Sequence, residues 1–570
     1  MSEELVSEGT SDSQVGSPAD ESTGPEIVAV DGPNDRKPTD LRIVRFFLLT
    51  LGALLMAYAF LGRGFAHLGV GPIYVGEMVM ALGIVATAWA ALAGRFTRPT
   101  RSQISRSRFT VSLLVLLVLF MTLGLIRTVP YIGTYGMNAL RDATLWGYGI
   151  FALMVFALVD RTWALRLFKL YGIAAIVFLF WEPVAYYIFT NSTILASAGT
   201  STYASSIIPN APGTNIPILF FKSQDMAVQT AGAIAYLVVG TPLVRRLRDF
   251  LWRFAAAVPA TWMVYITGTV TRGGLAAVAA AMAVTGVLSA FAGRLRNWMP
   301  VLAGLALVAV LVSTNVTIPS VAIGPPAPTP SAVVSGRTPK PTRAPKPTPT
   351  VVDWTTSRTT TTAQWWDNIF SIFGYSTNTQ LQGTKAYRLA WWSKIMDYTF
   401  AGKYFWDGKG FGINLADSDH FQVTKDDSLR EPPNSHLAVL ARMGVPGFLL
   451  WGLLMLGFAL FLLRALLAHR RAGDSQLAAV SAWVLAFWVA MMVNTTFDPY
   501  LEGPQGGIWF WALFGLGLVL IRLAPRRAAS EQGASEQTTA EQATSEQAAS
   551  EQATSEQATS EQATAEQAAQ

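Results

Sequence analysis

The chain has 570 residues, of which 51% are hydrophobic and only 14% are charged, with a formal net charge of +6 and no cysteine. A soluble domain carries about 25% charged residues, so this composition indicates a membrane protein; the lack of cysteine excludes disulfides, thiolate metal sites and cysteine nucleophiles. Residues 1–40 and residues 530–570 each carry a net charge of −8, which leaves +22 on the core between them. A basic, apolar core suits anionic lipid headgroups and a phosphorylated lipid substrate, and argues against nucleic acid as a partner.

The two ends of the chain predict solvated segments. Residues 1–40 are acidic and rich in Ser, Gly and Pro, so we predict a disordered cytoplasmic leader and no secretory signal peptide. Residues 528–570 repeat a Ser-Glu-Gln-Ala pattern with Glu at every fifth position from Glu531 to Glu566. A period of five produces no hydrophobic face, so we predict a disordered tail, with a tether or partner-binding element as the alternative.

Twelve segments predict membrane-spanning helices, because a span needs roughly 20 mostly apolar residues. Nine fall within residues 41–316 and three within residues 436–527. The fold class is therefore an all-α polytopic membrane protein. The segments are 42–62, 73–94, 109–127, 139–159, 170–190, 224–243, 254–270, 273–291, 298–316, 436–464, 477–494 and 506–522.

The distribution of basic residues predicts which loops face the cytoplasm. Cytoplasmic loops carry an excess of Lys and Arg. With twelve spans, every strongly basic loop falls on one side together with both termini, which are therefore predicted to be cytoplasmic. The basic loops are 95–108, 160–169, 245–253, 293–297, 464–471 and 522–527, and the outward loops include 128–138, 191–223, 317–435 and 495–505.

The outward loop 317–435 divides into two parts. Residues 317–363 are rich in Pro, Thr and Ser and predict an extended spacer. Residues 364–435 contain QWWDNIFSIF and YRLAWWSKIMDYTFAGKYFW, whose aromatic and aliphatic residues recur at helical spacing. We predict amphipathic helices on the outer membrane surface that cap a site for a lipid-linked substrate.

Two arginines are candidates for anion binding. Arg272 lies in ITGTVTRGGLAAV between two apolar stretches, where a charge is costly unless it meets water or an anion. Arg388 begins the aromatic helix of the outward loop, with Lys385 three residues before it, and guanidinium presents a planar fork that matches phosphate oxygens. The simpler alternatives are an arginine that snorkels to the interface and a basic helix that touches anionic lipid.

His436 is the candidate general base. It follows Asn434 and Ser435, both good helix caps, and precedes a long span, so it would lie in the first helical turn facing outward. The alternative is an interfacial histidine packed against headgroups. Asp498, Tyr500 and Glu502 lie in the last outward loop, where we expect mainly solvated acids and an interfacial tyrosine, with acceptor binding as the alternative.

Several motifs are missing from the sequence. There is no phosphate-binding GxxxxGK[ST] loop and no His/Asp/Glu cluster with ligand spacing for zinc. We therefore predict no metal site and no cofactor, so that any chemistry depends on arginine and histidine.

The sequence resembles the O-antigen ligase and polymerase superfamily of bacterial membrane proteins. In the segment that corresponds to residues 433–447, the family signature is a histidine followed by Asn, Ser or Gln, then nine residues and Gly-x-x-Gly. Asn434, Gly444 and Gly447 keep that spacing, but Pro433 occupies the histidine position and His436 lies three residues later. The features that carry the resemblance are TRGGLAAV around Arg272, the large outward loop, YRLAWWSKIMDY…GKGFG (387–412) and PNSHLAVLARMGVPG (433–447).

The resemblance implies a GT-C-like bundle and a glycosyltransferase of the cytoplasmic (inner) membrane whose active site is extracytoplasmic. It implies transfer or polymerisation, without ATP or metal, of a glycan from undecaprenyl diphosphate to a hydroxyl of a glycan, lipid, protein or cell-wall acceptor. In these roles Arg272 and Arg388 would bind the diphosphate, with Lys385 and Asn434 as further substrate contacts. His436 would take the acceptor proton, and direct displacement would invert the anomeric carbon.

The residues leave two alternatives open. Ligase and polymerase differ in their acceptor, which no motif specifies. A polysaccharide or lipid-linked oligosaccharide transporter also fits twelve spans. Against it, the two halves show no repeat and carboxylates within the spans are sparse, the nearest being Glu182 and Asp225.

Overall fold

The computed structural model describes residues 41–70, 73–94, 108–195, 203–205, 207–214, 216–313, 362–372, 375, 379–424 and 427–525, together with 542–547, 549, 550 and 552 of the C-terminal repeat. The acidic leader, nearly all of the Pro/Thr-rich spacer and most of the repeat tail lie outside the described residues. The described chain contains the predicted membrane core and the helical part of the long loop.

Helices account for most of the described chain. They are α1 (Arg42–Leu61), α2 (Val75–Leu92), α3 (Arg108–Tyr135), α4 (Met137–Asp142), α5 (Thr144–Gly147), α6 (Gly149–Leu158), α7 (Arg161–Ser192), α8 (Ser223–Ala235), α9 (Leu247–Val270), α10 (Arg272–Phe291), α11 (Met299–Ser313), α12 (Thr362–Ile372), α13 (Thr379–Phe400), α14 (Leu415–Asp419), α15 (Ser435–Arg471), α16 (Ser475–Thr495) and α17 (Pro504–Leu523).

The β-strands among the described residues form two short antiparallel pairs. Strand β1 (Gly69–Val70) pairs with β2 (Ile73–Tyr74), with Val70 opposite Ile73. Strand β3 (Thr193–Leu195) pairs with β4 (Tyr203–Ser205), with Ile194 opposite Ala204. Both pairs lie in loops between helices and contribute no sheet to the core.

The helices confirm the all-α polytopic fold, and each predicted span coincides with helical residues. Within the part of the chain that the structure describes, nine helices are long and apolar enough to cross a membrane, but the predicted count of twelve is not confirmed. The helical segments 137–158, 223–240 and 247–270 do not meet the same requirement. The second of these carries buried polar residues, Asp225, Gln229 and Thr230 among them, which lower its hydropathy.

Helices α16 and α17 form the centre of the bundle. Their apolar windows are 72% and 89% buried, against 28% for α2 and for α3, which therefore lie at the periphery. Aromatic rings fill the space around them. Phe458 of α15 stacks on Phe514 of α17 with ring centroids 4.2 Å apart, and Trp451 contacts Trp511 edge-on at 6.0 Å. Such pairs stabilise beyond the area that they bury.

The two helices predicted in the long loop are present as α12 and α13. Helix α12 packs against α9 and α10, and α13 packs against α15. Each also exposes large apolar side chains, Trp366 and Phe370 on α12 and Met396 and Phe400 on α13. Their position on a membrane surface stays a prediction, and we call α12, α13 and residues 401–434 the cap.

Helix α15 is not the continuous span that its hydrophobicity predicts. Gly444 has φ 68° and ψ −171°, which interrupts the helix, and Pro446 just beyond it has no backbone N–H to donate. A Cβ at Gly444 would lie 2.5 Å from the carbonyl oxygen of Phe405 in the cap. The glycine is therefore required both by its left-handed φ and by the close approach of the cap backbone.

Arg442 joins the cap to the bundle. Its side chain is fully buried in α15, forms an ion pair with Glu431 and approaches Asp142 of α4 at 2.9 Å. It also donates to the carbonyl oxygens of Gly410, at 2.9 Å, and Ile413, at 3.2 Å. One guanidinium thus satisfies polar groups from the cap loop, the bundle and the residues just before α15.

We predict that Arg442→Ala lowers the free energy of unfolding by about 3–5 kcal/mol, because it leaves the buried Glu431 carboxylate and two carbonyls without their partner. The measurement is reversible unfolding of the purified protein in mixed detergent micelles. Arg464→Ala, at an exposed position of the same helix, is the control and should change stability by less than about 0.5 kcal/mol. Equal stability of the two variants would contradict the role assigned to Arg442.

Candidate active site

Four helices begin at the same end of the bundle, which we call the site end. The first turns of α8 and α10 touch, since a Cβ at Gly273 would lie 3.3 Å from Gln224. Gln505 in the first turn of α17 donates to Asp225 in the first turn of α8. Ser435 at the start of α15 donates to the carbonyl oxygen of Asp498 at 3.2 Å. The positive ends of four helix dipoles thus face one region, which favours anions.

A charge cluster of Arg63, Lys222, Asp225 and Asp498 occupies this region. Arg63 donates from Nε to Asp225 Oδ2 at 2.7 Å and from Nη2 to Asp498 Oδ2 at 3.0 Å. Lys222 forms an ion pair with the other oxygen of Asp498. Arg63 comes from the loop after α1 and Asp498 from the loop after α16, so the cluster ties together segments that are far apart in the sequence.

The charges in the cluster shift one another's pKa values. Burial by itself would raise the pKa of Asp498, but Lys222 and Arg63 hold that pKa below its ordinary value. Burial lowers the pKa of Lys222, and the neighbouring Arg63 lowers it further, while the carboxylates of Asp498 and Asp225 act in the opposite direction. The Asp498 carboxyl is therefore ionised at neutral pH.

A small polar pocket lies beside the charge cluster and is bounded by α1, α8 and α17. The ammonium of Lys222 and the carboxylate of Asp225 stand in its wall together with the amides of two glutamines. Groups of both charges and neutral hydrogen-bonding groups thus meet one space. The lining residues are Tyr58, Ala59, Gly62, Phe221, Lys222, Asp225, Met226, Gln229, Tyr500 and Gln505.

Arg272 is the first residue of α10, at the site end. Thr271 caps the helix by accepting from the Gly274 N–H at 3.2 Å, and Arg272 Nη1 donates to Ser371 of the cap helix α12 at 3.4 Å. A Cβ at Gly273 would lie 2.6 Å from Phe497, next to Asp498. The glycine that follows Arg272 thus allows α10 to pack closely on the loop that carries the charge cluster.

Arg388 approaches the same region from the cap. It lies half-buried on α13, and its charge acts on Asp498. Lys385 is exposed on the same helix. Together, Arg63, Lys222, Arg272 and Arg388 place four positive charges around the two carboxylates, an excess of two.

His436 is held by protein groups at both ring nitrogens. Trp451 donates its indole N–H to Nδ1 at 3.0 Å. Nε2 lies 2.9 Å from the hydroxyl oxygen of Thr495 and 3.3 Å from the carbonyl oxygen of Met492. Because Nδ1 accepts, these contacts assign the neutral ring a proton on Nε2. His436 can accept a second proton only if Nδ1 leaves Trp451.

Asn434 serves as the cap of α15. Its side-chain oxygen accepts from the N–H groups of His436 at 3.0 Å and Leu437 at 3.1 Å. That oxygen is therefore used in starting the helix and orienting His436, and it is not available to a substrate. Any substrate contact by Asn434 would have to come from its amide NH₂.

The residues that the sequence analysis did not select for the site are Arg63, Lys222 and Asp225. The sequence indicates Asp225 only as a carboxylate near a span. It predicts a mainly solvated acid at Asp498, and this prediction is wrong: the structure buries Asp498 at 3% exposure inside an ion-pair network. The signal available was a charge directly beside a span, as in LGRGFAH and FFKSQDM. That pattern marks a candidate but not its partner.

We predict that Asp498→Asn lowers the free energy of unfolding by about 3 kcal/mol at neutral pH, because Lys222 and Arg63 lose a buried counter-charge. The depressed pKa of Asp498 contributes stability that is fully present above the ordinary value of 3.8 and is lost as pH falls through the folded-state pKa. The variant should therefore lose less stability than wild type on acidification below about pH 4. Asp407→Asn, at a side chain that is 61% exposed, is the control. Parallel unfolding curves of D498N and wild type on acidification would contradict this account.

Comparison with known proteins identifies one family. Residues 255–452 match the family model described as O-antigen ligase, a range that includes Arg272, Arg388, His436 and the Gly444–Gly447 pair. No curated protein matches. A solved structure from work described as "Structural coordination of polymerization and crosslinking by a peptidoglycan synthase complex" is 16% identical, covers 72% of this chain and 96% of its own, and has a TM-score of 0.33. A similarity this distant carries no argument about function.

Proposed function

From the premise that this chain belongs to the O-antigen ligase and polymerase superfamily through residues 255–452, we propose that it is a glycosyltransferase of the outer face of the cytoplasmic membrane. It transfers or polymerises a glycan carried by undecaprenyl diphosphate onto an acceptor hydroxyl, inverting the anomeric carbon. The site end faces outward, and the basic loops at the opposite end face the cytoplasm.

The observation that carries this proposal is the gathering of Arg63, Lys222, Arg272 and Arg388 around the carboxylates of Asp225 and Asp498. A diphosphate that links a glycan to a lipid is a dianion, so it balances the surplus of Arg63, Lys222, Arg272 and Arg388 over the two carboxylates. Arginine binds phosphate oxygens through paired N–H donors, and helix N-termini add backbone N–H groups. These groups supply the charge that a metal ion would otherwise provide.

The proposed reaction is a displacement at the anomeric carbon. The acceptor oxygen bonds to that carbon while the bond from the carbon to the diphosphate oxygen breaks, and the diphosphate leaves with the electron pair. Negative charge grows on the leaving oxygens, so preorganised arginines stabilise the transition state more than the ground state. The acceptor hydroxyl loses its proton to a base, and attack opposite the leaving group gives inversion.

The cap supports access from the outer leaflet. Helices α12 and α13 expose aromatic and aliphatic side chains while Ser371 and Arg388 on their inner sides reach the site. Aromatic residues favour headgroup depth in a membrane. We propose that the cap lies on the outer leaflet, so that the lipid-linked donor enters beneath it.

We predict that Arg272→Ala and Arg388→Ala each lower glycan transfer about 100-fold or more, because each removes a charge that stabilises the leaving diphosphate. The assay measures covalent transfer by the purified protein from synthetic undecaprenyl-diphosphate oligosaccharide, with divalent metal chelated. Lys394→Ala, six residues after Arg388 on α13 and exposed, is the matched control and should lose less than about twofold, as expected of a surface position.

Near wild-type transfer by either arginine variant would remove the proposed diphosphate contact. Transport of the intact lipid-linked glycan by the wild type, without a covalent product, would instead favour the transporter alternative.

We propose that His436 is the base and that Trp451 restrains it in the resting state. If so, His436→Ala abolishes transfer, whereas Trp451→Phe frees Nδ1 and keeps activity. If His436 only positions α15, both variants lose activity in part and the acid limb of the pH–rate profile stays unchanged. The measurement is transfer rate against pH for both variants and wild type, with His436→Gln as a neutral replacement that retains hydrogen bonding.

A further inference from the structure

Arg253 is a buried charge near the start of α9, at the end of the bundle opposite the site end. Its side chain is 3% exposed. Nη1 donates to Asn297 Oδ1 at 3.2 Å and Nη2 to the Pro242 carbonyl oxygen at 2.7 Å, but Nε has no hydrogen-bond partner among the described residues. These partners are neutral, so they orient the guanidinium without balancing its charge. A buried charge without a counter-charge is costly, which makes the position a candidate for stabilisation by an anion.

Two further arginines lie beside Arg253, and we call the three together the arginine cluster. Arg294 Nη1 donates to the Val239 carbonyl oxygen at 2.6 Å, three residues before the carbonyl that Arg253 bonds. Arg470, near the end of α15, donates to the Phe291 carbonyl oxygen, three residues before Arg294. The charge of Arg294 acts on Arg253, and that of Arg470 acts on Arg294. Three positive charges from separate segments therefore converge on one region.

Carboxylates balance only part of this charge. Among the residues that the structure describes, no ion pair includes a member of the arginine cluster. Asp249 lies one turn before Arg253 and its charge acts on that guanidinium, but it accepts from the Arg246 backbone N–H at 3.2 Å and so caps its own helix. Three arginines against one carboxylate leave a net charge of +2.

The arginine cluster also has hydrogen-bond donors to offer. Arg294 is half-buried, and its bonds to the carbonyl oxygens of Val239 and Thr241 both come from Nη1. Its Nε and Nη2 donate to no group in the described part of the chain. Arg470 is exposed and bonds one carbonyl through Nη2. Both guanidinium groups can therefore donate to a bound anion while they keep their contacts with the protein.

Exposed apolar side chains surround the arginine cluster. Phe291 at the end of α10 is exposed, as are Leu295 and Met299, four and eight residues later. Leu247 and Leu251 form a second exposed pair at the start of α9, and α9 packs against α11, which begins at Met299. Arginine heads beside exposed hydrocarbon are typical of headgroup depth in a membrane, where phosphate groups and acyl chains meet.

We propose that the arginine cluster binds the phosphate of an acidic phospholipid in the leaflet at this end of the bundle. The phosphate oxygens accept from Arg294 and Arg470, and the anion balances the buried charge of Arg253. The acyl chains lie along Phe291 and Met299. The net charge of +2 favours an anionic lipid over a zwitterionic one. This site does not depend on the proposed function, because it lies at the opposite end of the molecule from the transfer site.

Three variants separate this site from the general positive charge of the same end. Arg294→Gln removes the charge, while the glutamine amide can still donate to the Val239 carbonyl oxygen. Arg470→Gln is the second variant, at an exposed side chain where a neutral residue is compatible with folding. Arg248→Gln is the matched control. Arg248 is exposed at the same end but lies five residues before Arg253, about 140° round α9.

The binding experiment uses phosphatidylglycerol that carries a photoreactive diazirine on an acyl chain near the headgroup. The full chain is labelled in phosphatidylcholine nanodiscs that contain a trace of this probe, and mass spectrometry locates the label. We expect label on residues 247–254 and 287–299, reduced about tenfold by Arg294→Gln or Arg470→Gln and less than about twofold by Arg248→Gln. Unlabelled phosphatidylglycerol should displace the probe, whereas additional phosphatidylcholine should not.

Four results would overturn the proposal. Equal displacement by phosphatidylcholine would show that this surface takes any membrane lipid. Loss of label on addition of inorganic phosphate would assign the arginine cluster to a soluble anion. Label that persists in both Arg294→Gln and Arg470→Gln would remove the phosphate contact. An equal loss in Arg248→Gln would reduce the effect to the general charge of this end.

Thermal unfolding provides a second measurement that does not depend on labelling. Because the lipid balances a charge that is buried only in the folded state, phosphatidylglycerol in the nanodisc should raise the unfolding midpoint of wild type and Arg248→Gln. Arg294→Gln and Arg470→Gln should show little of this rise, and their midpoints in pure phosphatidylcholine show whether they fold. A rise equal to that of wild type in both variants would contradict the proposal.

Discussion

The bidentate reach of Arg63 is the interaction on which the site end depends. One guanidinium contacts the carboxylates of Asp225 and Asp498, from α8 and from the loop between α16 and α17. Transferring a charged group such as the Asp498 carboxylate from water into the protein interior costs several kcal/mol. A buried charge of this kind is therefore tolerated only where its partners are in place. The cluster therefore fixes where the loop after α1, the start of α8 and the end of α16 lie relative to one another.

The ion pairs with Asp225 and Asp498 explain why four basic side chains can lie close together without destabilising the fold through charge repulsion. Two carboxylates neutralise part of the charge of four cations, and the remainder is a net charge that an anionic ligand can balance. The same arrangement reduces the cost of having the site empty, since Lys222 and Arg63 are paired in the resting state. A ligand that binds there exchanges one set of charge-assisted contacts for another, so affinity is expected to depend on ionic strength.

The sequence allowed the fold class to be predicted because spans are read from local hydropathy, and Arg272 and Arg388 could be selected because each is a charge beside an apolar or aromatic segment. Arg63 and Lys222 carry the same signal but were not selected, since the partners that make them meaningful lie 162 and 276 positions away or more. The state of His436 could not be predicted at all. Its hydrogen bond to Thr495 arises from the packing of α16 against α15, and its hydrogen bond to Trp451 is made within α15 across the break at Gly444. No local pattern specifies which nitrogen carries the proton.

The break at Gly444 divides α15 into two helical segments. The first part, Ser435–Met443, carries His436 at its start and Arg442 near its end, and Arg442 is bonded to the cap loop at Gly410 and Ile413. Hydrogen bonds thus join the cap to this short helical segment, and the left-handed glycine separates the segment from the rest of α15. Because the same guanidinium also lies 2.9 Å from Asp142 of α4, the position of the cap on the bundle and the orientation of His436 depend on the same short segment.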